Sequence, residues 1–263
     1  MRKSRQSAYL RIFAIAVAVM LIALFPQTAY GVDMPLPDIL VIDGNILNED
    51  VLGSSVTLQI LFLTVLIALL PSILMVMTTF TRLIIVFSFV RSGMGTQQMP
   101  PNQVLVGLAL VLTMFLMNDP IQEINANAFT PFAAGEISQE EAIDRAMDPL
   151  RTFMLNQPNV MENVLFFAGI ANVTIDITDH STIPNSVLIP AFVLHELIIG
   201  FFIGVIIYIP FIVIDMVVAS VLMAMGMMML PPAMISLPFK VLLFVMVNGW
   251  RLIIEGLVGT FYI

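Results

Sequence analysis

The sequence predicts an all-α, polytopic helical membrane protein built from paired helical hairpins. Of its 263 residues, 59% are hydrophobic and only 11% are charged. A water-soluble domain carries about 25% charged residues, so this composition is typical of a chain that enters a bilayer. Helices are expected because an isolated strand cannot satisfy its backbone in lipid, and the alternating segments of an outer-membrane barrel are absent.

Charge and composition exclude several classes of function. Ten basic residues against eighteen acidic ones give a formal net charge of -8, without a basic stripe for nucleic acid. The chain has no cysteine, so disulfides and thiolate chemistry are excluded. Catalytic triads, clustered metal ligands and phosphate-binding loops are also missing from the pattern, so we expect no enzyme activity, no cofactor and no metal.

Residues 1–31 predict a cleaved secretory signal peptide. Four basic residues come before an apolar run over residues 12–25, and the small residues Ala29 and Gly31 follow it. The run is shorter than the roughly 20 residues of a membrane span, although an uncleaved first transmembrane helix is the alternative. The next segment, residues 32–55, is acidic without a basic residue and is expected to be an exported tail.

Residues 56–118 predict the first pair of hydrophobic helices. One apolar span covers residues 56–80 and another covers about residues 104–117. Between them, Arg82 and Arg91 lie in a stretch without acidic residues, which places that stretch inside by the positive-inside rule.

Residues 119–186 predict a polar, periplasmic helical segment with ten acidic residues and only two arginines. Ser138 and Glu141 form a capping box before a helical apolar stripe that should break near Pro149. This amphipathic helix either packs within the protein or docks a partner. His180 is interpreted as a loop residue rather than a metal ligand.

Residues 187–263 are again hydrophobic helices, with two spans joined at Pro210 and a further apolar stretch from Leu237. Glu196 lies within an apolar helix, where a lone carboxylate is costly, so we expect an interhelical pair with Lys240. Arg251 and Glu255, four residues apart, predict a second, local pair. The alternative is that Lys240 and Arg251 extend to an interface.

Two small residues and one acid complete the intramembrane features. Gly200 and Gly204 follow Glu196 on one helical face, and this spacing favours a close helix contact. Asp215 is a lone acid for which we favour structural hydrogen bonding over a proton relay.

A methionine-rich segment over residues 225–232 is the most unusual local feature. Met227, Met228 and Met229 are consecutive, between Gly226 and the pair Pro231-Pro232. Consecutive residues of a helix point about 100° apart, so the three cannot share one face, and the flanking residues indicate a loop or broken helix. Irregular backbone at membrane depth is tolerated where it lines a cavity, and flexible methionine suits a constriction there. Methionine as a simple gap filler is the alternative.

Several long motifs resemble the FliP family of flagellar export-gate proteins. They are T-T-F-T-R-L-I-I-V-F-S from residue 78, G-T-Q-Q-M-P-P-N-Q-V-L-V-G-L-A-L from 95, I-P-A-F-V-L-H-E-L from 189, P-F-I-V-I-D followed by M-V-V-A-S-V-L-M-A-M-G-M-M-M-L-P-P from 210, P-F-K from 238 and N-G-W from 248. The resemblance covers nearly all of the chain after the signal.

The resemblance implies a function in the bacterial inner membrane, within the flagellar basal body. Five copies would assemble with FliQ and FliR into a helical, conical, largely periplasm-facing gate that passes unfolded flagellar subunits. Met227 to Met229 match the family's methionine loop, which closes the channel. Glu196 and Lys240 match polar positions of the motif.

This sequence departs from the family pattern at Ile198, Phe202 and Asn248, where polar or acidic residues are common. Two other functions stay open at this point. The equivalent subunit of a virulence injectisome shares the motifs, whereas a small-molecule transporter would predict inverted repeats and a charged midplane site.

Overall fold

The computed structural model describes residues 72–73, 75–96, 99–176, 179–227 and 231–261. Every element with defined bounds in these ranges is helical, which confirms the predicted all-α class. The predicted signal peptide, the acidic tail and residues 56–71 and 74 of the first apolar span lie outside the described residues.

The α-helices follow one another with short connections. They are α1 (Phe80–Met94), α2 (Asn102–Leu116), α3 (Asn118–Ile124), α4 (Thr130–Ala134), α5 (Gln139–Leu155), α6 (Val160–Ala171), α7 (Asn185–Ala224), α8 (Pro232–Met246) and α9 (Gly249–Val258). A single π-helical stretch, Asn125–Phe129, joins α3 to α4, and a 3₁₀ turn, His180–Thr182, precedes α7.

Helix α7 has 40 residues and is the longest helix among the described residues. It packs most extensively on α1. Gly200 and Gly204 lie on the contact face. A Cβ atom at Gly200 would lie 3.3 Å from Ile85, and one at Gly204 would lie 2.3 Å from the ring of Phe89. The two glycines therefore let α1 approach closely, in the helix contact that their spacing predicts.

Two predicted helix breaks at proline are wrong. Helix α7 runs without interruption through Pro210, and α5 runs through Pro149. Proline removes one backbone hydrogen bond of a helix, but the bonds on either side remain. Buried neighbours such as Phe211, and Phe153 in α5, keep each helix packed across the proline.

The helices do break elsewhere. Residues 102–116 and 118–134 meet at a bend of 62°, and α8 meets α9 at a bend of 61°. At the second bend Asn248 adopts the left-handed conformation with φ 51°, and Gly249 lies against the ring of Phe244. Within the described residues, α7 alone is long and apolar enough to cross a membrane, or up to three spans if each bent pair counts as one.

Helices α3 to α6, with the π-helical stretch, make up the polar layer, and α5 and α6 of this layer pack on α7. Its central helix, α5, begins at Ser138, whose hydroxyl accepts a hydrogen bond from the Glu141 amide at 3.2 Å. The Glu141 carboxylate pairs with Arg145 at 2.6 Å instead of completing the capping box. Helix α5 packs on the π-helical stretch, on α3 and on α7, and its Phe153 and Met154 are buried, whereas Ile143 of the predicted stripe stays 47% exposed.

Candidate functional site

A buried ion pair joins α1 to α7. The guanidinium of Arg82 donates from Nε to Glu196 Oε2 at 2.9 Å and from Nη2 to Oε1 at 2.5 Å. Both side chains are 1% exposed. The paired, planar geometry satisfies both carboxylate oxygens, and a charge pair can be retained in an apolar interior only under this condition.

The same arginine also holds the segment after α9. Its Nη1 donates to the Thr260 carbonyl at 3.0 Å and to the Thr260 hydroxyl at 3.1 Å. The ring of Phe261 lies 3.9 Å from the guanidinium carbon, as a cation–π contact. Arg82 therefore connects three parts of the chain that are far apart in sequence.

A second pair joins α7 to α8. Lys240 Nζ donates to Asp215 Oδ2 at 2.6 Å, and the Ser236 hydroxyl donates to Oδ1 at 2.6 Å. Lys240 is buried at 6% side-chain exposure, whereas Asp215 is 42% exposed. Asp215 therefore accepts structural hydrogen bonds, in agreement with the favoured interpretation.

The predicted pairing of Glu196 with Lys240 is wrong. Glu196 and Asp215 are both in α7, 19 residues and so about 28 Å apart along the helix axis. Helix α8 turns back beside the far end of α7, so Lys240 reaches Asp215, and Glu196 is left for Arg82.

Sequence reasoning placed Arg82 at the cytoplasmic end of a span and so missed its partner. The structure places it inside α1, fully buried. Its charge is therefore paired inside the protein with the Glu196 carboxylate. The sequence does contain a signal for this pair, because Arg82 lies within an apolar run and Glu196 lies within another apolar helix.

The other predicted polar residues lie apart from these two pairs. Arg251 Nε donates to Glu255 Oε1 at 2.7 Å on the exposed side of α9, as the spacing predicts. His180 lies in the 3₁₀ turn, and the described residues contain no group of three or more side chains that could hold a metal ion. Beside it, hydrogen bonds from the Ser181 hydroxyl and amide lower the pKa of Asp179.

The methionine-rich segment begins where α7 ends. Gly226 has φ 75°, its amide bonds to the Met223 carbonyl at 3.0 Å, and the Met227 amide bonds to the Leu222 carbonyl at 3.0 Å. These two bonds form a Schellman motif, which stops the helix. Met225 and Met227 are exposed, while Met228 and Met229 lie outside the described residues.

Pro231 and Pro232 begin α8 on the other side of the segment. Pro231 is the N-cap and Pro232 is the first helical residue, a position where the missing proline amide costs nothing. The chain therefore leaves one helix at a glycine and enters the next at a proline. This arrangement agrees with the predicted break between the helices, and the Asp215–Lys240 pair ties the two flanking helices together.

An aromatic cluster packs the helices around this hairpin. Trp250 of α9 contacts Phe87 and Phe244 edge to face, with ring centroids 6.2 and 5.4 Å apart. Phe211 of α7 lies 6.4 Å from Phe244. Gly93 leaves room for Phe211, because a Cβ there would lie 2.6 Å from its ring. Aromatic side chains of helices α1, α7, α8 and α9 thus form one packed cluster.

Comparison with known proteins identifies the family. The model of the FliP family matches residues 62–257. The flagellar biosynthetic protein FliP of Bacillus subtilis is 49% identical over 215 residues, 81% of this chain and 96% of that protein.

Two further relatives agree with this result. The flagellar biosynthetic protein FliP of Pectobacterium carotovorum is 48% identical over 80% of this chain and 81% of its own length. The protein of the same name from Borreliella burgdorferi is 43% identical over 89% of this chain and 90% of its own length. The matched region includes both interhelical ion pairs and the methionine-rich segment, and the chain belongs to the FliP family.

Proposed function

We propose that this protein is a subunit of the flagellar protein export apparatus, and that its methionine-rich segment closes the path of the exported chain. The curated relatives are flagellar biosynthetic proteins, which favours the flagellar apparatus over a virulence injectisome. The observation that carries the proposal is the break between α7 and α8, with exposed methionines at a hairpin tip.

The geometry suits a deformable closure. Methionine side chains are flexible and polarisable, so several copies can fill an irregular opening and give way to a passing chain. The Asp215–Lys240 pair and the Ser236 hydrogen bond join the helices on both sides of the segment. They fix α7 against α8 next to the segment.

The length of α7 supports an assembly that extends beyond the bilayer. A helix of 40 residues is about 60 Å long, whereas the hydrocarbon core of a bilayer is about 30 Å thick. Roughly half of this apolar helix therefore has to be covered by protein rather than lipid. Its large exposed side chains include Phe201, Phe202, Val205, Ile206 and Ile209.

We propose that neighbouring subunits provide this cover: five copies of the chain together with FliQ and FliR, in the inner membrane and facing the periplasm. Unfolded flagellar subunits would pass along the common axis. Mass measurement of the purified native complex tests the stoichiometry, with five copies of this chain expected and any other number contradicting the proposal.

Replacing Met227, Met228 and Met229 by alanine tests the closure. We expect faster leakage of small ions in cells that assemble the apparatus, because the shorter side chains leave an opening. Ion leakage and secretion of flagellar subunits are measured together. The matched control is Met246→Ala, an exposed methionine at the far end of α8. Equal leakage from the triple variant, the control and the unchanged protein would contradict the proposal.

A further inference from the structure

The turn that leads into α7 is organised by its own side chains. The Asp179 carboxylate accepts from the Ser181 amide at 3.0 Å and from the Ser181 hydroxyl at 2.6 Å. The Thr182 hydroxyl donates to the Asp179 carbonyl at 2.7 Å. These bonds define the shape of the turn, but they do not attach it to the polar layer.

Arg151 of α5 makes that attachment. Its Nη2 donates to the His180 carbonyl at 3.1 Å and to the Ile183 carbonyl at 2.8 Å. Its Nη1 donates to the side-chain oxygen of Asn185, the first residue of α7. One guanidinium therefore binds three acceptors within six residues of chain, because its planar fork presents donors from two terminal nitrogens in fixed directions.

The charge of Arg151 makes this choice of partners informative. Residues 119–186 hold ten acids and two arginines. Arg145 pairs with Glu141 on its own helix, whereas Arg151 forms no ion pair with any described residue. Although the segment is acidic, the acceptors of Arg151 are two backbone carbonyls and the side-chain oxygen of Asn185. Its position is therefore set by these hydrogen bonds and not by a carboxylate.

Apolar contacts converge on the same place. Phe153, two residues after Arg151, packs edge to face on Phe192 of α7 with ring centroids 6.0 Å apart. Ile183 and Leu188 are buried on either side of the junction. The polar bonds of Arg151 therefore border a packed contact between α5 and α7.

We propose that Arg151 is the positioning residue that fastens the polar segment to the start of α7, so that the chain itself, rather than a partner subunit, fixes the orientation of this acidic layer. The proposal goes beyond the export function and does not depend on it. It concerns how the polar segment is held against α7 in a single chain, before subunits assemble.

Hydrogen exchange on the full chain, purified in detergent, tests the proposal. In Arg151→Ala we expect amide exchange over residues 180–188 to accelerate about tenfold or more, because hydrogen bonds to a charged donor are lost. Arg151→Lys should recover part of the protection, since an ammonium can serve one or two of the three acceptors. The matched control is Arg145→Ala, which removes the same charge from the same helix.

Two outcomes would overturn the proposal. One is equal exchange over residues 180–188 in Arg151→Ala and Arg145→Ala. The other is equal acceleration in α1 and in residues 180–188, since a general loss of stability would then explain the result.

A gain-of-contact variant provides an independent check. Asn185→Asp places a carboxylate before the Arg151 guanidinium and should slow exchange over residues 180–188. The acid also favours the first turn of α7 through the helix dipole, so the same change is measured in Arg151→Ala. Equal slowing in both backgrounds would refute a specific role for Arg151.

Discussion

At the scale of single residues, replacing Glu196 by alanine is expected to leave the Arg82 guanidinium buried without its carboxylate. Breaking a buried pair from one side costs about 3–5 kcal/mol. Thermal or chemical unfolding of the protein in detergent measures this loss. The matched control is Glu255→Ala, which opens the exposed Arg251–Glu255 pair and should leave the midpoint unchanged. Equal midpoints for the two variants would contradict the structural role of Arg82–Glu196.

The second pair is expected to behave as a unit. Asp215→Leu leaves the buried Lys240 ammonium unpaired, so we expect lower stability and lost motility. Adding Lys240→Met removes the unpaired charge and should restore part of the stability. Swimming on soft agar and unfolding in detergent are the measurements. If the double variant is less stable than Asp215→Leu, the pairing of these two residues is not what stabilises the α7–α8 hairpin.

Glu196, Asp215 and Lys240 can be identified from the sequence as charged residues in apolar helices, but the predicted pairing of Glu196 with Lys240 is wrong. The cost of burying a charge predicts that each has a partner without saying which one. The choice depends on the direction in which α8 returns beside α7, a tertiary property. Arg151 was missed because its acceptors include two backbone carbonyls, which every residue possesses.

At the scale of helices, the contact between α1 and α7 depends on Gly204. A methyl group there would lie 2.3 Å from Phe89, so Gly204→Ala is expected to separate the helices and cost about 1–3 kcal/mol. Unfolding in detergent measures the change.

The matched control for Gly204 is Gly107→Ala in α2. Nothing lies within 4 Å of the Cβ position of Gly107, so the gain in helix propensity should stabilise the protein by about 1 kcal/mol. If Gly204→Ala were as stable as this control, the close approach of α1 to α7 at Gly204 would not contribute to stability.

The helices themselves were largely predictable from apolar length and end signals. The second apolar span corresponds to α2, and Gly226 with Pro231-Pro232 indicated the break before α8. One failure was α1, which lies in the stretch predicted to connect the first two spans. Further failures were Pro149 and Pro210, where proline was interpreted as a breaker. Local chemistry favours a break at both positions, but the packing of Phe153 and Phe211 keeps the helices continuous.

At the scale of the whole molecule, topology can be tested directly because the chain has no cysteine of its own. Ser138→Cys and Ser181→Cys place single thiols on the exposed polar segment. If this segment faces the periplasm, a membrane-impermeant maleimide should label both in intact spheroplasts. Labelling only after lysis would place the segment on the cytoplasmic side and overturn the proposed orientation.

Composition alone indicates a membrane protein, but it does not show which part of the apolar surface contacts lipid and which part contacts other subunits. An α7 of about 60 Å exceeds the hydrocarbon core, and hydropathy does not distinguish a lipid contact from a contact with another subunit. The acidic segment fixed to its start adds a polar layer that a simple hairpin lacks.

The Arg82 contacts also set an order in time. Glu196 follows Arg82 by 114 residues and Thr260 follows it by 178. At about 5–20 residues per second, the ribosome makes the carboxylate about 6–23 s after the guanidinium. During that interval the carboxylate that pairs with Arg82 in the folded protein does not yet exist, so we expect the Arg82 guanidinium to stay hydrated until α7 is made. The segment after the last helix then completes the enclosure, when the ring of Phe261 reaches the guanidinium.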